Sequence, residues 1–204
     1  MESKGITQKV EPISIIDNNF QKQVNKNKRV KTKAAEVEHA VRDFINEHYD
    51  EDPDLYASFS EALEVILKEF KDNWNEIYKR LEELRQRIKN KDKEKTYGLH
   101  KKKEMPFFRT LKKNLFDEKE LSEDDISKLV NLTQLIKNTI SRELTAPNFW
   151  NNPIAISRMK GEIQEVLISK EFSSLPDIFN KRNEIISRIV EISESNNDII
   201  LYSD

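Results

Sequence analysis

A chain of 204 residues, with 36% hydrophobic and 35% charged residues and a formal net charge of −2, is long enough for one or two packed domains. It contains no cysteine, which excludes a disulfide framework and thiolate metal ligation, and its three glycines are too few for an all-β chain with many tight turns. No segment approaches the roughly 20 apolar residues that cross a bilayer, and the N-terminus lacks the apolar core of a secretory signal, so the cytoplasm is the expected compartment.

Residues 1–33 show no sustained period and read as an extended basic lead-in. Helical spacing begins at Ala34 and runs to about Tyr49, with Val37, Val41, Phe44 and Ile45 on one face. Asp52 before Pro53 is an N-cap followed by proline in the first turn, and opens a helix to about Phe70 with the stripe Phe59, Leu63, Ile66, Leu67 and Phe70. A third helix, from Asn73 to about Asn90, would bury Trp74, Ile77, Tyr78, Leu81, Leu84 and Ile88. After a basic stretch come a short helix through Phe107, Phe108, Leu111 and Leu115, then a long one from Ser122 to Leu144 with acids in its first turn. Asn152 and Pro153 repeat the cap-and-proline signal, and Ser174 with Pro176 opens a last helix through Ile178, Phe179, Ile185, Ile186, Ile189 and Ile192. The pattern predicts an all-α protein, a bundle of about seven helices. Its expected divisions are a lead-in over 1–33, a helical subdomain over 34–90, a basic linker over 91–103, a second helical subdomain over 104–196 and a tail over 197–204.

Candidate chemistry starts with EVEHAVRDFINEHYDEDP, residues 36–53, where two of the three histidines lie among seven acids. His39 and His48 stand nine residues apart, so at about 100° per residue they point to opposite sides of one helix and share no metal ion. Glu36 and Asp43 share the face of His39, and the three would hold a metal only with a further ligand from elsewhere. That is the sole opening for an independent enzyme, against the simpler reading of surface pairs. Pro53 and Asp54 with Glu69, Phe70 and Lys71 match a metal-dependent nuclease pattern on paper. One helix would hold the two carboxylates roughly 22 Å apart, too far for a single ion. Clustered glycines and a GxSxG elbow are both missing, so no catalytic or metal residue is assigned.

The charge is strongly polarised along the chain. Lys26, Lys28, Arg29, Lys31 and Lys33 lie in one basic run, and Lys101, Lys102 and Lys103 in another, KDKEKTYGLHKKK; both are candidates for DNA-phosphate contacts or plain solvated segments. Tyr97 is the only ring inside either run, so stacking of single strands is not expected. Trp150, with Phe149 beside it, is a candidate interface anchor, or else a cap on its own core.

The run KTKAAEVEHAVRDFINEHYDEDPDLYASFSEALEVIL, then PFFRTLKKNL, then NLTQLIKNTI and NFWNNPIAISRMKGEIQEVLIS, resembles the C-terminal helical region of the restriction (R) subunit of type I restriction-modification enzymes, from about residue 20 to 195. The resemblance implies a piece of a longer subunit, whose other regions form a Mg²⁺-dependent nuclease and an ATP-driven DNA translocase. This piece would hold no cofactor and have no enzymatic activity of its own, because none of the nuclease or motor motifs occurs in it. Its implied partners are the modification and specificity subunits and the motor domains of its own R subunit, with DNA as a further partner and no membrane. The basic runs carry the alternative, a helical module that binds DNA phosphates without sequence specificity.

Overall fold

The computed structural model describes residues 14–117 and 119–202. Among these residues the protein is all-helical, with nine α-helices and no strand. Seven of the helices are long: α2 (Val30–His48), α3 (Pro53–Glu69), α4 (Trp74–Lys89), α5 (Met105–Phe116), α6 (Glu123–Glu143), α7 (Pro153–Leu167) and α8 (Ile178–Ser195). Two are short, α1 (Phe20–Val24) and α9 (Asn197–Tyr202).

The helix starts follow from side-chain chemistry. An α-helix leaves its first amides without partners, and a short polar side chain just ahead of it can accept from them. Asp52 accepts from the Leu55 amide at 3.2 Å, Asn73 from Glu76 at 3.3 Å, and Asn152 from Ile154 and Ala155 at 3.1 and 3.2 Å. Ser122 and Asp125 close a reciprocal capping box at the start of α6, where Glu123, Asp124 and Asp125 also face the positive end of the helix dipole. The last long helix departs from the expected pattern. Ser174 and Pro176 do not cap it; buried Phe172 and Leu175 hold a turn there, and α8 starts at Ile178 after Asp177 in a left-handed conformation.

The chain forms two compact units. The first takes residues 14–46 and Phe59–Lys91, the second Glu47–Ser58 and residues 92–202, so residues 47–58 belong with the later helices. In the first unit, Val37, Val41, Phe44 and Ile45 of α2, Phe59 and Leu63 of α3, and Ile77, Leu81, Leu84 and Ile88 of α4 are buried at the expected helical spacing. The stretch expected to be an extended lead-in is instead folded over its described part. Ile15, Phe20 and Val24 are buried, α1 occupies Phe20–Val24, and α2 begins at Val30. The reason is Arg85, buried on α4. Its guanidinium donates to the Ile15 carbonyl and to Gln21 Oε1, both at 2.9 Å, pairs with Glu82 at 3.0 Å and lies 5.4 Å from the centre of the Phe20 ring.

In the second unit α5 packs on α6 and α8, and α7 on α6 and α8, so each of the four helices touches two neighbours around one core. Leu111, Leu129, Leu132, Ile136, Ile140, Met159, Ile163, Ile185 and Ile189 fill it. Residues 197–202, expected to be a tail, form α9, which packs on α8 with Ile200 buried.

Arg85→Leu keeps much of the side chain's bulk but leaves a buried carbonyl, a half-buried amide oxygen and Glu82 without their donor, which costs on the order of 3 kcal/mol. Urea denaturation should show that loss, and limited proteolysis should open the segment ahead of α2 first.

Candidate functional site

The histidine and acid cluster does not converge. His39 Nε2 lies 3.5 Å from Asp43 with both side chains in solvent, while Glu36 accepts from Asn27 and Gln23. His48 is half-buried, its ring 6.0 Å from that of Tyr56. No group of three histidine, aspartate or glutamate side chains is gathered to hold a metal ion among the described residues. The nuclease-like pattern fails as expected, because Pro53–Glu69 is one continuous helix and Asp54 is engaged by Thr110 Oγ1 at 2.7 Å and Lys113 Nζ at 3.1 Å.

Those two bonds are part of a polar anchor that the sequence did not disclose. Residues 47–58, the elbow that leads from α2 into α3, are gripped by α5 and α8. Asp52, 6% exposed, pairs with Arg109 of α5, which also reaches Glu94 at 2.5 Å. Asn196, at the C-terminal end of α8, donates to the Glu51 carbonyl at 3.0 Å. Burial pushes the Asp52 carboxyl above the usual aspartate range, and the Arg109 guanidinium and the Leu55 amide pull it partly back.

A cleft of about 660 Å³ opens beside this anchor, lined by Asp54, Lys113, Asp117, Lys181, Glu184 and Arg188 among others. Each of its cations is paired with a carboxylate: Lys113 with Asp54, Lys181 with Glu184 at 3.0 Å and Arg188 with Glu191 at 3.1 Å. Such pairs stabilise a surface and leave little net field for a charged ligand.

The basic candidates separate by environment. Lys26, Lys28, Arg29 and Lys31 are exposed in the first unit, at and before the start of α2, and Lys33 is half-buried. Lys31 Nζ stands 4.8 Å from the Trp74 ring centre and Lys33 Nζ 5.8 Å from that of Tyr78. Lys101, Lys102 and Lys103 lie in a turn of the second unit, where His100 Nδ1 accepts from the Lys102 and Lys103 amides at 3.3 and 3.1 Å and Glu104 accepts from the His100 amide at 2.7 Å. Phe149 is buried at 4%, edge-on to Trp150 at 5.0 Å between ring centres. Trp150 is half-buried against the core and donates through Nε1 to Asn197 at 3.1 Å, so only part of its ring reaches solvent.

An all-α scaffold that pairs its buried charges, Asp52, Arg85 and Glu143, with neighbouring ions is the class of protein these contacts define. The chain belongs to the family described as type I restriction enzyme HindI endonuclease subunit-like, C-terminal, whose model matches residues 3–194. No curated protein and no solved structure matched it.

Arg109→Leu tests the anchor. It strands a buried carboxylate and should cost about 3–5 kcal/mol near neutral pH. Without its cation Asp52 has a still higher folded pKa, so the folded state binds more protons than the unfolded one between the two values. Stability of the variant therefore falls as pH rises through that window. Denaturation at about pH 4 and about pH 7 should show the larger deficit at the higher value.

Proposed function

We propose that this chain is a helical assembly module of a type I restriction endonuclease subunit, joining the subunit to the methyltransferase core of modification and specificity subunits and contributing affinity rather than catalysis. The observation that carries this reading is the extent of the family match: residues 3–194 take in almost all of the described fold. ATP and Mg²⁺ would act in the nuclease and translocase regions of the longer subunit.

The start of α7 supplies a docking candidate. Ile154 is 79% exposed, follows Trp150 by four residues and comes directly after the exposed Asn152 and Pro153. A large aliphatic side chain so exposed adds little to the fold's own stability, while an aromatic and an aliphatic residue near one helix start suit the centre of a protein interface.

Pull-down of the modification and specificity subunits by the isolated chain tests the reading. Capture is expected, without ATPase or nuclease activity in the chain alone. Ile154→Asp should weaken capture about tenfold or more, the loss of one well-buried anchor. Its unfolding midpoint should stay near that of the parent chain, since surface changes remain within about 0.5 kcal/mol. No capture by the unaltered chain would contradict the proposal.

A further inference from the structure

We propose that the surface formed by Lys26, Lys28, Arg29, Lys31 and Lys33 at the start of α2 holds the phosphate backbone of duplex DNA, and that the basic run around Lys101–Lys103 does not. The first argument is charge balance. Residues 22–33 carry six cations and no acid. The ion pairs of the first unit join His39 to Asp43, Arg42 to Glu38 and Glu64, Arg80 to Glu76 and Glu83, and Arg85 to Glu82. None reaches the five residues named, among the described residues. Glu36, the next acid along α2, is occupied by Asn27 and Gln23.

The second argument is the placement of these cations on the helix. Amide dipoles make a helix start positive, so a cation there costs about 0.3–1 kcal/mol, whereas an acid is favoured. The chain uses the favoured arrangement at α6, with Glu123, Asp124 and Asp125 in the first turn. At α2 it does the opposite: the first turn has no acid, and Lys28, Arg29, Lys31 and Lys33 crowd the positive end. An arrangement that works against its own helix is explained by an anion that the helix start and the cations attract together.

The third argument selects the ligand. The cations are spread over an exposed turn and the helical turn after it, an array suited to successive phosphates rather than to one small anion. Lys31 and Lys33 lie over the rings of Trp74 and Tyr78, which occupies the faces on which unpaired bases would stack. Backbone contact with a duplex is what remains. The second run is built differently: Asp92 and Glu94 lie within it and Glu104 directly follows Lys103, where residues 22–33 have no acid at all.

The test is fluorescence anisotropy of the full chain with two unrelated duplexes of roughly 20 base pairs, titrated from about 50 to about 200 mM salt. Both duplexes should bind alike, with log affinity falling linearly with log salt. Lys28→Gln/Arg29→Gln/Lys31→Gln should reduce the slope by about 3 and weaken binding about tenfold or more at low salt. Lys101→Gln/Lys102→Gln/Lys103→Gln should stay within about twofold of the parent chain. Circular dichroism checks the fold; if the first variant loses helicity, Lys26→Gln/Lys28→Gln, which changes only residues ahead of α2, replaces it with an expected slope change of about 2. The proposal is overturned by absence of duplex binding at the lowest salt, by equal losses in the two triple variants, or by vesicles containing phosphatidylserine being bound where DNA is not. None of these readouts involves the methyltransferase core, so assembly and DNA contact can fail separately.

Discussion

The grip on residues 47–58 is the constraint from which the arrangement of the second unit follows. A polypeptide leaving α2 and entering α3 could form a plain helical hairpin, with its turn loose in solvent. Here Asp52 is buried against Arg109, Asp54 is bound by Thr110 and Lys113, and the Glu51 carbonyl receives the Asn196 amide. Residues from positions 51 to 196 are thereby drawn together by polar contacts, and the elbow becomes part of the second unit. A buried carboxylate persists in such a place only when its partners are positioned, because desolvation of an unpaired charge outweighs nearly any single packing gain.

Much of the fold was legible in the sequence because helical periodicity and end signals agree. Asn73, Ser122 and Asn152 cap as their positions imply, and Val37, Val41, Phe44, Leu81, Leu84, Leu129 and Ile136 are all buried on the expected faces. The failures share a physical origin. α1 has five residues, too few to establish a period, and its stability comes from Arg85 more than 60 positions away in sequence. Arg85 itself reads as one more cation on a charged helix, since nothing in composition marks a guanidinium that turns inward to meet a carbonyl. Asp177 was missed because a left-handed residue before a helix carries no side-chain cap to announce it.

The candidate site was less legible than the fold. Spacing alone was enough to separate His39 from His48 and Asp54 from Glu69, since one helix fixes both distances. Spacing could not rank the two basic runs. Acids mark the second run and not the first in the sequence itself; what only the fold adds is that the first run crowds a helix start, while glutamates in and after the second hold its own turn and Arg109. The family match and this contrast describe separate properties, membership of a restriction-enzyme subunit family and a strip of positive charge that no ion pair reaches among the described residues.

Amide hydrogen exchange of the isolated chain tests the central constraint most directly. If the elbow is locked by its polar anchor, the amides of residues 47–58 exchange at rates matching those of α5 and α8, and slow or quicken with them when denaturant is added. Exchange of the elbow at the rate of a free loop, or in step with residues 30–46 and 59–69 instead, would contradict the account.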